Sequence, residues 1–312
     1  MSARTRELPR RSCLSVPGSS EKMLAKAPGI PADMVFVDLE DSVAPAEKAA
    51  ARANAVAAVR EQAWDDRIVC VRVNAWDSPW TAFDVLEVVA GAGPRLDEVM
   101  LPKCQSAAEV TALDLVLAQA EHAAGLPVGS IGIEVQIETA VGMLAVEAIC
   151  AASPRLEAVI LGPADLAASL EMPLLTGGAP VPEYPGDHFH FAFTRLLLAG
   201  RANGLQVIDG PYLRLRDPEG LRAYSERTRV LGFDGKWAVH PDQVPVLNEV
   251  FSPTQEQFDR ARALLDTYRQ AIEVDGRGAA WFGDEMIDEA SRKMALKLVT
   301  RGARAGLTPS AS

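Results

Sequence analysis

An α/β chain closed into a TIM (β/α)8 barrel, with one helix more than a barrel needs at its C-terminus, is the fold this sequence predicts. Three observations lead there. Eight short β-branched runs alternate with longer helix-like stretches, the order repeats without interruption, and no GxGxxG follows the first run. Strict strand–helix alternation marks a parallel sheet with crossover helices, and the missing glycine fingerprint argues against an open dinucleotide-binding sheet.

The candidate strands are Ser12–Val16, Met34–Asp41, Ile68–Asn74, Glu98–Lys103, Ile131–Glu138, Ala158–Gly162, Leu205–Gly210 and Lys236–His240. Between them, Glu47–Glu61 is Ala-rich and charged, Ser106–Ala124 carries Leu and Val at helical spacing, and Arg195–Asn203 and Pro218–Leu231 behave alike. Glu171–Asp187, rich in Pro and Gly, reads as an extended loop after the sixth strand, on the face where barrel active sites lie. An eighth helix is expected over Thr254–Ile272, then a polar linker, Glu273–Gly283, and a last helix, Asp284–Val299. The expected division is a barrel over 1–272, linker and added helix over 273–301, and a frayed tail over 302–312.

Composition bounds the function. At 312 residues and 48% hydrophobic, the chain can bury a full core as one large domain. No apolar run is long enough to span a membrane, and the basic start from Met1 to Arg11 leads into no apolar signal region, so a cytoplasmic protein is expected. A net charge of −11 argues against a nucleic-acid partner, which would need a basic face. Cys13, Cys70, Cys104 and Cys150 lack metal-type spacing and are expected as buried free thiols.

The fifth strand carries the chemistry. Ile133, Val135 and Ile137 alternate with Glu134, Gln136 and Glu138, so one face meets an apolar layer and the other is polar. Carboxylates inside a barrel must be neutralised by a cation or hydrogen-bonded. Glu138, at the carboxyl end, reads as a metal ligand. The same alternation sets Val35, Val37 and Leu39 against Phe36, Asp38 and Glu40, and Val69, Val71 and Val73 against Cys70, Arg72 and Asn74. Asp38, Glu40, Arg72, Lys103, Glu138, Asp165 and Asp209 are then expected to converge on the mouth, where barrel active sites form. Carboxylates outnumber cations in that set, and all-oxygen ligation suits Mg²⁺. No histidine pair has zinc spacing.

Other readings stand beside these. Arg72 and Glu40 also fit a structural ion pair, Asp38 a hydrogen-bonding support, and Asp165 a helix N-cap. Asp41 fits a cap for the next helix. His188 and His190 flank Phe189 and fit surface or packing roles better than substrate contact. His240 before Pro241 reads as structural, and Trp237 as core.

Several motifs together resemble a known family: Val16-Pro17-Gly18-Ser19, Val37-Asp38-Leu39-Glu40-Asp41-Ser42-Val43-Ala44-Pro45, Val71-Arg72-Val73-Asn74, Met100-Leu101-Pro102-Lys103, Ile137-Glu138-Thr139, Leu161-Gly162-Pro163-Ala164-Asp165-Leu166, Ile208-Asp209-Gly210-Pro211 and Gly235-Lys236-Trp237-Ala238-Val239-His240-Pro241. In this order they resemble the citrate lyase β-subunit-like branch of the HpcH/HpaI aldolase superfamily, which includes malyl-CoA and citramalyl-CoA lyases. The resemblance implies a homotrimer or hexamer, Mg²⁺ (Mn²⁺ as alternative) on Glu138 and Asp165, and coenzyme A as part of the substrate. It implies Asp288, Arg72, Glu40 and Asp38 as the catalytic group, and substrate contacts from Ser19, Lys22, Arg72, Glu138, Asp209 and Pro241. Met286-Ile287-Asp288-Glu289-Ala290-Ser291 resembles the lid motif that carries a catalytic aspartate, here Asp288, into a neighbouring subunit. Where the family often has an arginine after Pro17-Gly18-Ser19, this chain has Ser20-Glu21, leaving Lys22 as the nearest cation.

The activity implied is Mg²⁺-dependent retro-Claisen cleavage of a 3-hydroxyacyl-CoA, with L-malyl-CoA or β-methylmalyl-CoA giving glyoxylate and acetyl-CoA or propionyl-CoA. Citramalyl-CoA lyase and malyl-CoA thioesterase are alternatives. So is a non-autonomous citrate lyase β-like subunit that binds an acyl-carrier protein, against which the intact lid motif speaks.

Overall fold

The computed structural model describes residues 8–174, 184–273, 276 and 278–310. The first half of the barrel runs β1 (Ser12–Pro17), α1 (Glu21–Lys26), β2 (Met34–Asp38), α2 (Lys48–Glu61), β3 (Ile68–Arg72), α3 (Thr81–Ala92), β4 (Glu98–Leu101) and α4 (Ala107–Ala123). The second half runs β5 (Gly132–Ile137), α5 (Ala140–Leu144), α6 (Val146–Cys150), β6 (Leu156–Leu161), α7 (Pro163–Ser169), α8 (His190–Ala202), β7 (Gln206–Asp209), α9 (Pro218–Leu231) and β8 (Gly235–Ala238). All eight strands pair in parallel, and β8 returns to β1 to close the barrel. Each expected strand is present; all but β1 stop short of the expected carboxyl end, β1 runs on to Pro17, and β6 and β8 begin earlier, at Leu156 and Gly235. The expected loop over Glu171–Asp187 falls largely on 175–183, outside the described residues.

Side-chain parity builds the interior. Cys13, Met34, Phe36, Ile68, Cys70, Met100, Ala158, Ile160, Ile208 and Trp237 pack as one buried cluster inside the barrel, while Val35, Val69, Val71 and Val135 are buried on the other strand face. The four cysteines are free and buried. Below the apolar cluster, Arg10 enters the barrel and donates to Glu98 Oε2 at 2.9 Å and to Glu134 Oε2 at 3.1 Å. That guanidinium gives the buried Glu134 a hydrogen-bond donor.

The chain divides into two compact units, Met1–Asn248 and Glu249–Ser312. This boundary comes earlier than residue 272, because the helix expected to complete the barrel belongs to the second unit. After α10 (Gln243–Val250), the second unit holds α11 (Gln255–Glu273), β9 (Ala280–Phe282), β10 (Glu285–Ile287) and α12 (Glu289–Arg304). Helices α11 and α12 pack together, with Phe258 filling the space that Gly302 leaves by having no side chain. The expected linker is instead part of a hairpin. Gly283, at φ +64°, and Asp284 form its two-residue turn. The last helix therefore starts at Glu289 rather than Asp284. Its buried positions are Ala295 and Gly302, while Met294 is 63% exposed. The tail is not frayed throughout: Gln255 Nε2 donates to the Thr308 carbonyl at 2.8 Å, and Ser310 Oγ donates to Asp259 at 2.6 Å.

Among the described residues, no helix is long and apolar enough to cross a membrane.

Candidate active site

A cleft of about 810 Å³ opens at the carboxyl ends of the strands, lined by residues that include Asp38, Arg72, Gln136, Asp165, Trp237 and Pro241. The register sets its centre: Asp38 on β2 lies beside Arg72 on β3. Arg72 grips Asp38 as a two-pronged fork, Nε to Oδ1 and Nη2 to Oδ2, both at 2.7 Å. Its remaining nitrogen, Nη1, lies 3.3 Å from Gln136 Oε1 and 3.2 Å from Glu40 Oε2. Burial alone would raise the Asp38 pKa. The Arg72 charge and hydrogen bonds, with the Ser42 hydroxyl and the Glu40 amide, outweigh burial and hold it at about 2. Arg72 thus carries a fixed, ionised partner on one edge, meets Gln136 and Glu40 through Nη1, and still lines the cleft.

Trp237 is core as expected and also forms part of the cleft wall, with its ring centroid 5.0 Å from the Arg72 guanidinium carbon. Its indole Nε1 donates to Ser15 Oγ at 2.8 Å, which fixes the ring plane.

Glu40 and Lys103 form the next layer. Lys103 Nζ donates to Glu40 Oε1 and, at 3.1 Å, to Asp41 Oδ1. Glu40 is therefore shared between two cations. Burial nonetheless pushes its pKa up, against the pull of Arg72 and Lys103. Asp41 serves this pair and the cleft wall rather than capping α2, whose N-cap position is Glu47.

Glu138 is 1% exposed. It accepts from the Lys103 backbone amide at 2.8 Å and from Gln136 Nε2. Lys103 aims that amide by adopting φ +49°, an uncommon conformation for a residue with a β-carbon. Burial first, then the Asp165 charge, raises the Glu138 pKa to about 8. Asp165 is not an N-cap: Gly162 holds that position, and Asp165 sits in the first turn of α7 against the cleft. A β-carbon on Gly162 would overlap Glu138 Oε2, so glycine is what lets the carboxylate face the cleft wall. Two converging carboxylates that repel each other fit a hard divalent cation completed by water and substrate oxygens, as Mg²⁺ prefers. Among the described residues no cluster of three or more His, Cys, Asp or Glu side chains could hold a metal, so this pair stands without a third protein ligand.

Other expected residues lie elsewhere. Asp209 is not at the mouth. Ile208 faces the barrel interior and Val207 the helix α8, so Asp209 points outward, where it accepts from Lys236 Nζ and from Thr228 Oγ1 on α9. Ser19 and Lys22 do not line the cleft. Lys26, one turn further along α1, does, as do Met23 and Ile30 on the same side. Pro241 lines it as expected, and so does His240, whose Nδ1 accepts from the Asp242 amide at 3.2 Å. His188 packs against Phe189, and His190 is exposed at the start of α8. Asp288 is the N-cap of α12. Its Oδ1 accepts from the Ala290 and Ser291 amides at 2.9 and 3.1 Å.

A family model described as HpcH/HpaI aldolase/citrate lyase matches residues 11–241, which hold the whole of this cleft. The chain belongs to the HpcH/HpaI aldolase/citrate lyase family. A relative named L-malyl-CoA/beta-methylmalyl-CoA lyase, from Cereibacter sphaeroides, is 39% identical over 300 residues, spanning 93% of this chain and 94% of that protein. Another from the same organism, named (3S)-malyl-CoA thioesterase, is 36% identical over 288 residues and spans 90% of each. The solved structure of CitE from Mycobacterium tuberculosis in complex with magnesium, acetoacetate and coenzyme A aligns with a TM-score of 0.73 at 30% identity, covering 96% of this chain and 99% of that one. Family membership agrees with the motifs: Arg72, Lys103, Glu138 and Asp165 each fall in one, and all four meet at the same end of the barrel.

Proposed function

We propose that this chain is a Mg²⁺-dependent carbon–carbon lyase for 3-hydroxyacyl-CoA esters, cleaving L-malyl-CoA or β-methylmalyl-CoA to glyoxylate and acetyl-CoA or propionyl-CoA. The observation that carries this reading is Arg72, locked by Asp38 in a fork and lining the same cleft as Asp165, with Gln136 linking it to Glu138. Retro-Claisen cleavage takes the proton off the 3-hydroxyl and breaks the bond between the hydroxyl-bearing carbon and the carbon next to the thioester, leaving a 2-oxo acid and a thioester enolate that regains one proton at carbon, a net transfer of one proton from oxygen to carbon. Arg72 stabilises the oxyanionic charge that develops on that enolate. Asp38 keeps the guanidinium in place and ionised, and Glu40 supports its inner face. Glu138 and Asp165 hold Mg²⁺, which when bound supplies Lewis-acid polarisation of the substrate's oxygens. Lys26 and the apolar wall of Met23 and Ile30 offer the cleft's outer end a cation and a surface for the coenzyme A portion.

Asp288 delivers the proton to the enolate carbon from a neighbouring subunit of a homotrimer or hexamer. Its role as N-cap leaves an oxygen for this, since the Ala290 and Ser291 amides both donate to Oδ1 and Oδ2 is the atom that carries the proton. Mixing Asp288→Asn with Glu138→Gln protein after partial dissociation tests the point. Recovery of activity in mixed oligomers is expected, and verified mixed oligomers that stay inactive would place Asp288 outside any shared site.

Incubating purified protein and Mg²⁺ with malyl-, methylmalyl-, citramalyl- and citryl-CoA, and scoring 2-oxo acid and free thiol separately, tests the activity. Glyoxylate released without free thiol is expected. Free thiol with no 2-oxo acid would make the chain a thioesterase, and no product from any ester would overturn the reading.

A further inference from the structure

Behind the cleft lies a buried cation that the proposed chemistry does not use. Lys48, the first residue of α2, is 6% exposed. An ammonium has three donors, and here each has an acceptor: the Leu39 carbonyl at 2.8 Å, the Glu40 carbonyl at 2.8 Å and Asn74 Oδ1 at 2.7 Å.

Those acceptors belong to the two strand ends that form the Asp38–Arg72 fork. Leu39 and Glu40 directly follow Asp38, and Asn74 follows Arg72 by two residues. The amides of the same two residues are also engaged: Leu39 N donates to the Arg72 carbonyl and Glu40 N to Asp38 Oδ1, both at 2.9 Å. A turn gripped by its carbonyls on one side and its amides on the other has little freedom to rotate. The Asn74 amide is itself oriented, because Nδ2 donates to Asp84 Oδ2 at 2.6 Å, which leaves Oδ1 for Lys48. Arg52, one turn along α2 from Lys48, holds Asp84 through Nε at 2.9 Å.

We propose that Lys48 is a positioning residue for the lyase reaction: by tying the end of β2 to the end of β3 it fixes the Asp38–Arg72 fork. The inference rests on the role given to Arg72 above. Glu138 and Asp165 stand on β5 and α7 ends that Lys48 does not touch, and Gln136, between Arg72 Nη1 and Glu138, is the link from the fork to the metal ligands, so Mg²⁺ binding is measured beside turnover.

The test measures kcat, KM and the Mg²⁺-induced rise in Tm for Lys48→Met, with Arg72→Lys alongside. Lys48→Met removes the ammonium while keeping an unbranched chain. A kcat fall of about ten- to a hundredfold is expected, the scale of a catalytic group misplaced by less than 1 Å, with KM and the Mg²⁺-induced rise unchanged. Asn74→Ala removes one of the three acceptors and serves if Lys48→Met does not fold; it should show a smaller fall of the same kind. Wild-type kcat in a folded variant would overturn the proposal, and so would a fall accompanied by loss of the Mg²⁺-induced rise, which marks general disorder. Should Arg72→Lys keep full turnover, the fault lies with the reading of Arg72. Should only Arg72→Lys lose it, the fault lies with Lys48.

Discussion

Among the described residues, two buried arginine clusters stand inside the barrel, one at each end, and strand β5 feeds both. At the base, Arg10 meets Glu98 and Glu134, and the side chains of all three are fully buried. At the mouth, Arg72 meets Asp38, Glu40 and Gln136, with Glu138 next along the strand. The residue types are nearly the same. What differs is access: Arg72, Asp38 and Gln136 line the cleft, whereas none of the base residues does. A buried ion pair is weak evidence for either stability or function taken alone. Contact with a cavity that Asp165 also lines, with Glu138 buried against Gly162 in its wall, separates the catalytic cluster from the one that seals the barrel.

The comparison breaks most visibly at Arg72. Arg72→Lys keeps the charge and loses the fork. It should lower kcat and kcat/KM together by about two to three orders of magnitude, as expected for a contact that strengthens in the transition state. If steady-state kinetics showed only a raised KM, Arg72 would be a ground-state carboxylate binder.

Gly162→Ala gives a smaller effect at the same end. The added β-carbon meets Glu138 Oε2 and must turn the carboxylate. Mg²⁺ affinity, followed by thermal shift, should weaken by about ten- to a hundredfold, the usual cost of disturbing a ligand's surroundings. Unchanged affinity would mean that Glu138 does not hold the ion in this orientation.

At the base the effect should be on stability alone. Burial first, opposed by Arg10 and reinforced by Glu98, pushes the Glu134 pKa up to about 8 from an ordinary 4.5. A carboxyl that binds its proton more tightly when folded stabilises fully below the ordinary value, and that contribution disappears as pH rises through the folded value. Glu134→Gln should therefore match wild type near pH 5 and exceed it near pH 8 in denaturant unfolding. An equal difference at both pH values would show that Glu134 is already ionised in the folded state.

Much of this was legible from alternation. The split of Ile133, Val135 and Ile137 from Glu134, Gln136 and Glu138 placed three polar groups inside the barrel, and the structure supplies a partner for each. Asp209 misled because the end of β7 reads Val207-Ile208-Asp209, in which two apolar residues precede the carboxylate and give no parity signal. Its partner, Lys236, is brought beside it only by the pairing of β7 with β8. Arg10 sits in a basic N-terminal run that looks like ordinary surface charge. Lys26 was readable in principle, since Met23, Lys26 and Ile30 share a helical spacing. The hairpin before Asp288 hid behind its glycine, which signals a linker as readily as a tight turn.

The most direct test of the account makes the same substitution at both ends of one strand. Glu134→Gln and Glu138→Gln are compared for Mg²⁺-dependent cleavage of malyl-CoA and for the Mg²⁺-induced rise in Tm. The account predicts that Glu134→Gln keeps near wild-type turnover and the full rise, while Glu138→Gln folds but loses both. Mg²⁺-dependent turnover retained by Glu138→Gln, or lost equally in the two variants, would contradict it.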